Sequence, residues 1–444
     1  MNYSLAMVFH CLSAFILLLL GPELFAQTKI TKYHFDGEGK LKEEYFIVDN
    51  DSSKIHGDYS YYDVEGNLSV SGRYTMGIKD GEFKNYYPNG NIQRSTFYEK
   101  GLRQGETVVY DTIKNIIQLG VFVNDTLTGV LTTFFAEGTI KNTTEFKSGK
   151  PDGWVKEYYP SGKLKEEISY KNGKQHGPNR TYYENGNIKS DILYNKAVID
   201  GYMKSYHENG QINTDAMQKN GSKEGYYKKY YDNGQLETSG SYSRGQLNGK
   251  IVSYYKSGAK EKTLNLVNGV KTGENTTYFE NGIVKSQIVY SNREKNRIIK
   301  EYDSKNNMTA EKYFEDDLKT GTWKYYFHDG ILKISETYLL GKLEGKRLTY
   351  SDKGSIRKEE TFLKDKKNGL TTIYDENGSV IEKITYKNDF QSGPYQKFFK
   401  NGKVETEGTY LRDLKNGEWK YYNEQGELNN KESFKLGRLL STNK

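Results

Sequence analysis

Glycine returns every 24 residues along this chain, and no other feature so narrows what the chain can fold into. With Gly57 as position 0, steps of 24 land on Gly81, Gly105 and onward to Gly417. Arg297 is the one interruption in sixteen, and nothing is inserted between residues 57 and 440. Position +5 is aromatic in all sixteen repeats, from Tyr62 to Tyr422, and +9 is Gly except at Lys114 and Asn306. Position +11 is aliphatic or Met except at Lys260, and +17 is aromatic except at Gln218 and Leu266. Length alone, 444 residues, suggests about three domains, but a repeat this strict grows by stacking and not by adding cores.

The positions translate into geometry. A segment such as Tyr183-Glu184-Asn185-Gly186-Asn187-Ile188 predicts a three-residue hairpin loop at +7 to +9, closed by Gly in the left-handed region. That loop sets +5 across from +11, and alternation then assigns +17 to the same face, with the +5 ring as core. A second turn is expected at +20 to +24, as in Lys171-Asn172-Gly173-Lys174-Gln175-His176-Gly177. Two short strands and two turns fill the step and leave no helical period. The expected fold class is all-β: an elongated, single, twisted antiparallel sheet of stacked 24-residue β-hairpin repeats. No repeat buries enough to fold alone.

The expected organisation is a signal peptide at residues 1–26, an N-terminal capping repeat at 27–56, sixteen repeats over 57–440 and a tail at 441–444. The apolar run from Leu5 to Leu20, the break at Gly21-Pro22 and Leu24-Phe25-Ala26 predict cleavage after Ala26 and export to the periplasm, cell surface or medium; an uncleaved membrane anchor is the alternative. The single cysteine, Cys11, falls inside that run, so a mature chain has no disulfide, thiolate zinc site or cysteine nucleophile. In the cap, His34 to Leu41 matches Tyr61 to Leu68 at an offset of 27. The repeat from Arg297 to Thr320 lacks both framing glycines, which reads either as drift or as a bend. The net charge of +7 is spread as alternating signs, as in Lys163-Leu164-Lys165-Glu166-Glu167, which argues against a nucleic-acid stripe.

The pattern Gly-x-x-x-x-Tyr-x-x-Asn-Gly-x-Leu followed by Tyr-x-Asn-Gly-Lys-x-x-Gly resembles the MORN repeat. It is closest to the bacterial MORN variant, some of whose members are described as antitoxins. The best matches are Gly153–His176, Gly177–Asp200, Gly225–Asn248 and Gly393–Asn416. The resemblance implies stacked β-hairpins and, in various members, scaffolding, protein partners or membrane association.

Residues that carry chemistry are thinly spread. None of the six histidines is paired at metal-ligand spacing. His56 and His176 occupy +23, where other repeats carry Asp or Asn before Gly, so a turn role is expected. Glu166 and Glu167 are adjacent on a strand and point to opposite faces. Asp316-Asp317 reads as a solvated turn. No catalytic, cofactor-binding or metal residue is assigned, and the chain is expected not to be an enzyme and to need no cofactor. The candidate partner-binding residues lie at +6: Phe135, Tyr159, Tyr183, His207, Tyr231, Tyr255 and Phe279, in seven successive repeats. They read either as packing beside the turn or as an aromatic platform on the second face. The expected function is that of an exported scaffold for protein–protein or cell-envelope contacts. The alternatives are carbohydrate binding through the aromatic stripe, or an antitoxin-like partner-binding role. No nucleic-acid partner is expected; membrane association stays open, though the mature sequence does not indicate it.

Overall fold

The computed structural model describes residues 26–34 and 39–443. The expected signal segment, Cys11 included, lies outside them except for Ala26, as do residues 35–38 of the expected cap. The chain divides into two compact units, one up to Lys174 and one from Gln175.

Within each unit the described residues form strands and turns and no helix, and the strands pair antiparallel with their neighbours in sequence, some of them broken at the bulge into a two-residue piece such as Ile78–Lys79 and a longer one such as Gly81–Tyr86. In the first unit Gly81–Tyr86 pairs with Ile92–Glu99, which pairs in turn with Leu102–Tyr110. In the second, Ser222–Tyr230 pairs with Leu236–Ser243. The all-β, stacked-hairpin class expected from the sequence holds in both. A single hairpin is marginal in water, so pairing on both edges supplies what each repeat lacks.

The first turn is as expected: +5 lies opposite +11, as in Tyr86 and Ile92, around a three-residue loop whose Gly90 has φ +80°. The next partners, Asn85 and Arg94, skip one residue. This bulge at +12 corrects the simple alternation, because it moves +13, +15 and +17 onto the face of +2 and +4, away from +5. The +5 rings are accordingly half-buried on the other face, where the Tyr86 hydroxyl meets Ser71 Oγ at 2.9 Å. The buried floor is built instead from +2, +15 and +17. Phe83 and Trp419 at +2 are 4% and 1% exposed. Tyr74, Phe83 and Tyr98 stack edge to face with centroids 5.3 Å apart, a favoured aromatic arrangement. Glycines at +15 make room for this floor: a Cβ at Gly72 would overlap the Phe83 ring, and one at Gly408 would overlap Trp419.

The second turn is shorter than expected. Glu99 pairs with Leu102 across Lys100 and Gly101, whose φ values of 51° and 86° define a type I′ turn. Positions +21 to +23 already belong to the next strand. Tyr98 faces Arg103 and Thr96 faces Thr107, so Gly105 at position 0 sits in a second bulge with φ +79°. The period-defining glycine is therefore a bulge residue. Arg297 shows why: Ser291 to Ser286 pair with Asn296 to Glu301 without a break, and Asn292 to Lys295 form a four-residue loop. Two residues have moved from the bulge into the loop, the 24-residue step is kept, and position 0 no longer needs a positive φ. The divergence is a compensated change of turn.

Candidate interaction surface

The polar atoms along the edges of the hairpins are mostly committed to the neighbouring repeat. At +8, the Asn185 side-chain oxygen accepts the N–H of Asn187 (2.8 Å) while its amide donates to the carbonyl of Glu208 in the next repeat (2.9 Å). Asn89, Asn209, Asn233, Asn281 and Asn401 make the same pair of bonds. Asn therefore caps its own loop and clips the following one.

The +6 residues serve the same end. The hydroxyls of Tyr183, Tyr231 and Tyr255 donate to the carbonyls of Tyr206, Tyr254 and Tyr278 at 2.8–2.9 Å, and His207 Nε2 lies 3.0 Å from the carbonyl of Tyr230. Phe135 and Phe279 lack a polar tip and instead have Lys141 and Lys285 over their rings. All seven residues are half-buried. Phe135 and Tyr159 belong to the first unit, and Tyr183 to Phe279 recur in register along the second. Where +6 is Asp63, Asp111 or Asp303, the carboxylate caps its own loop, as when Asp303 accepts the N–H groups of Lys305 and Asn307 at 2.9 Å. Those bonds hold the Asp303 carboxyl below the usual carboxylate range.

The type I′ edge is clipped as well. Asp365, Asp389 and Asp413 at +20 accept the backbone N–H groups of Leu343, Lys367 and Gln391 at 2.6–2.7 Å. At +23, where His176 stands in its own repeat, Asn248 Oδ1 accepts the N–H of Asn268 (3.1 Å) and Asn296 Oδ1 that of Asp316 (3.0 Å). The slot holds the next turn. Among the described residues no group of three or more His, Cys, Asp or Glu side chains is placed to hold a metal ion.

Two features escaped the sequence reading. The first is a charged stretch of the floor in the second unit. Glu360, 5% exposed, receives Lys358 and Lys367 at 2.9 Å each. Burial raises its pKa, but the hydrogen bonds from the two lysines outweigh it and hold the carboxyl below its ordinary value. Glu336 lies 3.6 Å from Arg347 and accepts the Tyr338 hydroxyl at 2.8 Å; burial, then that bond, drives the phenol pKa up. The second is an exposed apolar row at the type I′ edge of the same unit. Leu340 is 74% exposed, Leu339 57%, Leu436 55% and Phe390 50%, with Lys342, Lys364 and Arg412 exposed among them. The alternation of Leu and Lys at +18, +19 and +21 was visible in the sequence but reads as solvated surface until the turn is placed.

Stacked hairpins clipped edge to edge, with an aromatic or charged floor, define a β-hairpin repeat protein. The chain belongs to the MORN repeat variant family, whose model matches residues 79–100, 151–172, 175–196, 199–220, 223–243, 271–292, 319–339, 367–388, 391–411 and 415–436. No curated protein matches it. Solved structures that it resembles weakly include the TcdB2–TccC3–Cdc42 complex, at 14% identity and TM-score 0.17, covering 90% of this chain and 27% of that one. A second is the Tc holotoxin pore of Photorhabdus luminescens, at 15% identity and TM-score 0.15, covering 91% and 23%. A third is a eukaryotic initiation factor, at 10% and 0.15, covering 87% and 96%. The chain thus spans about a quarter of the toxin-complex chains it matches, and TM-scores this low carry no argument about function.

Proposed function

We propose that the chain is an exported, non-enzymatic scaffold that holds a protein or cell-envelope partner. The observation that supports this reading is the exposure of Leu339, Leu340, Phe390 and Leu436 along the type I′ edge, on a molecule whose turn groups are mostly committed to neighbouring repeats. Apolar side chains held out along one edge offer area that a partner would bury. Four of the seven +6 side chains, Tyr183, His207, Tyr231 and Tyr255, are engaged with the next repeat's carbonyls, so partner contact is assigned to the type I′ edge of the second unit. Cleavage after Ala26 would place this surface outside the cytoplasm, where an antitoxin-like role fits poorly.

The test has two arms. Cell fractionation with N-terminal sequencing is expected to find a chain beginning at Gln27 in the exported fraction; an intact cytoplasmic chain would end the export reading. In the second arm, chain beginning at Gln27 is crosslinked in envelope extracts, alone and with Leu339, Leu340 and Leu436 changed to Lys. One discrete crosslinked partner should disappear with the triple change and persist when Tyr183, Tyr231 and Tyr255 become Ser. The reverse outcome would hand the role to the aromatic stripe and favour a glycan, checked on a glycan array.

A further inference from the structure

Two ways of capping the hairpin loop exclude one another in almost every repeat. In six of the ten repeats where +6 is aromatic or His, those of Tyr87, Tyr183, His207, Tyr231, Phe279 and Phe399, +8 is Asn followed by Gly. Where +6 is a short polar residue, as in Asp63, Asp111, Asp303, Ser351 and Asn423, it caps the loop itself and +8 is not Asn. The repeat beginning at Gly369 has both: Asp375 at +6 and Asn377-Gly378 at +8 and +9. Asp375 Oδ1 takes the N–H groups of Asn377 (2.9 Å) and Ser379 (2.8 Å), so the bond that an Asn side chain accepts elsewhere is already occupied. Among the described residues the exposed Asn377 amide has no hydrogen-bond partner. The following N–H is also loosely held: Gly378 donates to the Asp375 carbonyl at 3.3 Å, against 2.9–3.0 Å for the glycines of the other six Asn-Gly loops.

We infer that Asn377 is the site at which this protein modifies itself, by spontaneous ring closure with Gly378. The Gly378 nitrogen, losing its proton, bonds to Asn377 Cγ; the Cγ–Nδ2 bond breaks and ammonia leaves. Water then opens the cyclic imide at either carbonyl to give aspartate or isoaspartate. Closure needs the amide carbon free to turn toward the glycine nitrogen and that nitrogen free of a strong hydrogen bond. Asn89, Asn185, Asn209, Asn233, Asn281 and Asn401 fail the first condition, being pinned at both amide atoms. Asn172, Asn220 and Asn268 in type I′ turns fail the second, because Gly173, Gly221 and Gly269 donate at 2.7–2.8 Å to the preceding repeat. Three more Asn-Gly pairs precede bulge glycines: Asn248 and Asn416 have their side-chain oxygens taken by the N–H groups of Asn268 (3.1 Å) and Leu436 (3.3 Å), and Asn368 is followed by Gly369, held in the strand pairing opposite Tyr386 and packed on Thr361. The product puts a negative charge, and in the isoaspartyl form an extra backbone carbon, into one loop of the array.

The experiment is peptide mass mapping of the full chain held folded at 37 °C and mildly alkaline pH, with a parallel sample in urea. Folded, Asn377 should convert about tenfold faster than the six clipped asparagines, the rate effect of about one net hydrogen bond. In urea, where only the shared Asn-Gly sequence counts, the spread should collapse. Asp375→Tyr installs the commoner pairing and should slow Asn377 toward the clipped six. Any clipped asparagine that matches or leads Asn377 in the folded chain overturns the inference without recourse to a variant.

Discussion

The floor of the first unit between Tyr45 and Tyr98 and the floor of the second between Glu336 and Lys367 share aromatic residues at +17 but differ in chemistry at +2 and +15. In the first, Tyr45, Tyr59, Tyr74, Phe83 and Tyr98 follow one another ring against ring at 5.3–6.3 Å. In the second, +15 and +2 carry Glu336, Arg347 and Glu360, neutralised by one another and by Lys358 and Lys367. Both sit under the same hairpins with the same bulges and clipped loops. The difference teaches that hydrogen-bonded edges set the frame, and that the floor is chosen pair by pair between one repeat's +15 and the next repeat's +2. Gly72 goes with Phe83, Gly408 with Trp419 and Glu336 with Arg347. Such nearest-neighbour matching is what an array that contacts only adjacent repeats permits.

The comparison is most easily broken at its aromatic end. Phe83→Ala should cost about 3–5 kcal/mol, the range for truncating a buried ring. Hydrogen exchange should locate the loss within residues 57–98; an even loss of protection across that unit would refute pairwise choice. Gly72→Val should cost about 1–3 kcal/mol through overlap with the same ring. Combined with Phe83→Ala it should cost less than the sum, since the cavity then receives the added methyls. Strict additivity would show that +15 and +2 are not matched.

At the charged end the expected effect is smaller and depends on pH. Glu360→Gln should cost about 1–3 kcal/mol near pH 7, the worth of hydrogen bonds to a charged group. The folded carboxyl is held below its unfolded pKa of about 4.3, so the stabilisation is fully present above that value. It is lost as pH falls through the lower, folded value. Acid should therefore loosen residues 345–372 in the native chain, and Glu360→Gln should flatten that response. A response of the same size in the variant would point to other carboxylates.

The frame was legible in the sequence and the floor was not, for a physical reason. Turn residues answer to backbone angles, which only Gly, Asn and Asp meet cheaply, so Gly90 and Gly186 announce themselves. The opposition of +5 and +11 followed from that loop alone. The bulge at +12 carries no compositional mark, and missing it shifted +17 to the wrong face and cast the half-buried Tyr86 as core. Floor residues answer to one neighbour eleven positions away, so +2 varies from Trp419 to Arg347 and shows no consensus to read. The +6 candidates were visible as a stripe, but their bonds to the next repeat's carbonyls depend on a distance no sequence displays. The apolar tips at Leu340 and Leu436 were hidden because the second turn was placed too late.

The smallest effect belongs to the frame and separates backbone angle from packing. Gly186 has φ +97°, and a Cβ built there meets nothing within 4 Å, so substitution is resisted by conformation alone. The same slot holds Asn306 and Lys114 at φ 71° and 73°, which shows that the loop tolerates side chains able to enter the left-handed region. Gly186→Val should therefore cost about 1–2 kcal/mol and Gly186→Asn a fraction of that, because a β-branched residue is the worse fit at positive φ. Thermal melts combined with hydrogen exchange at Tyr182 and Ile188 give both values. Equal penalties for Val and Asn would mean that contact with the neighbouring loop, and not the backbone angle, reserves the position for glycine. The separation between frame and floor would then fail at its simplest point.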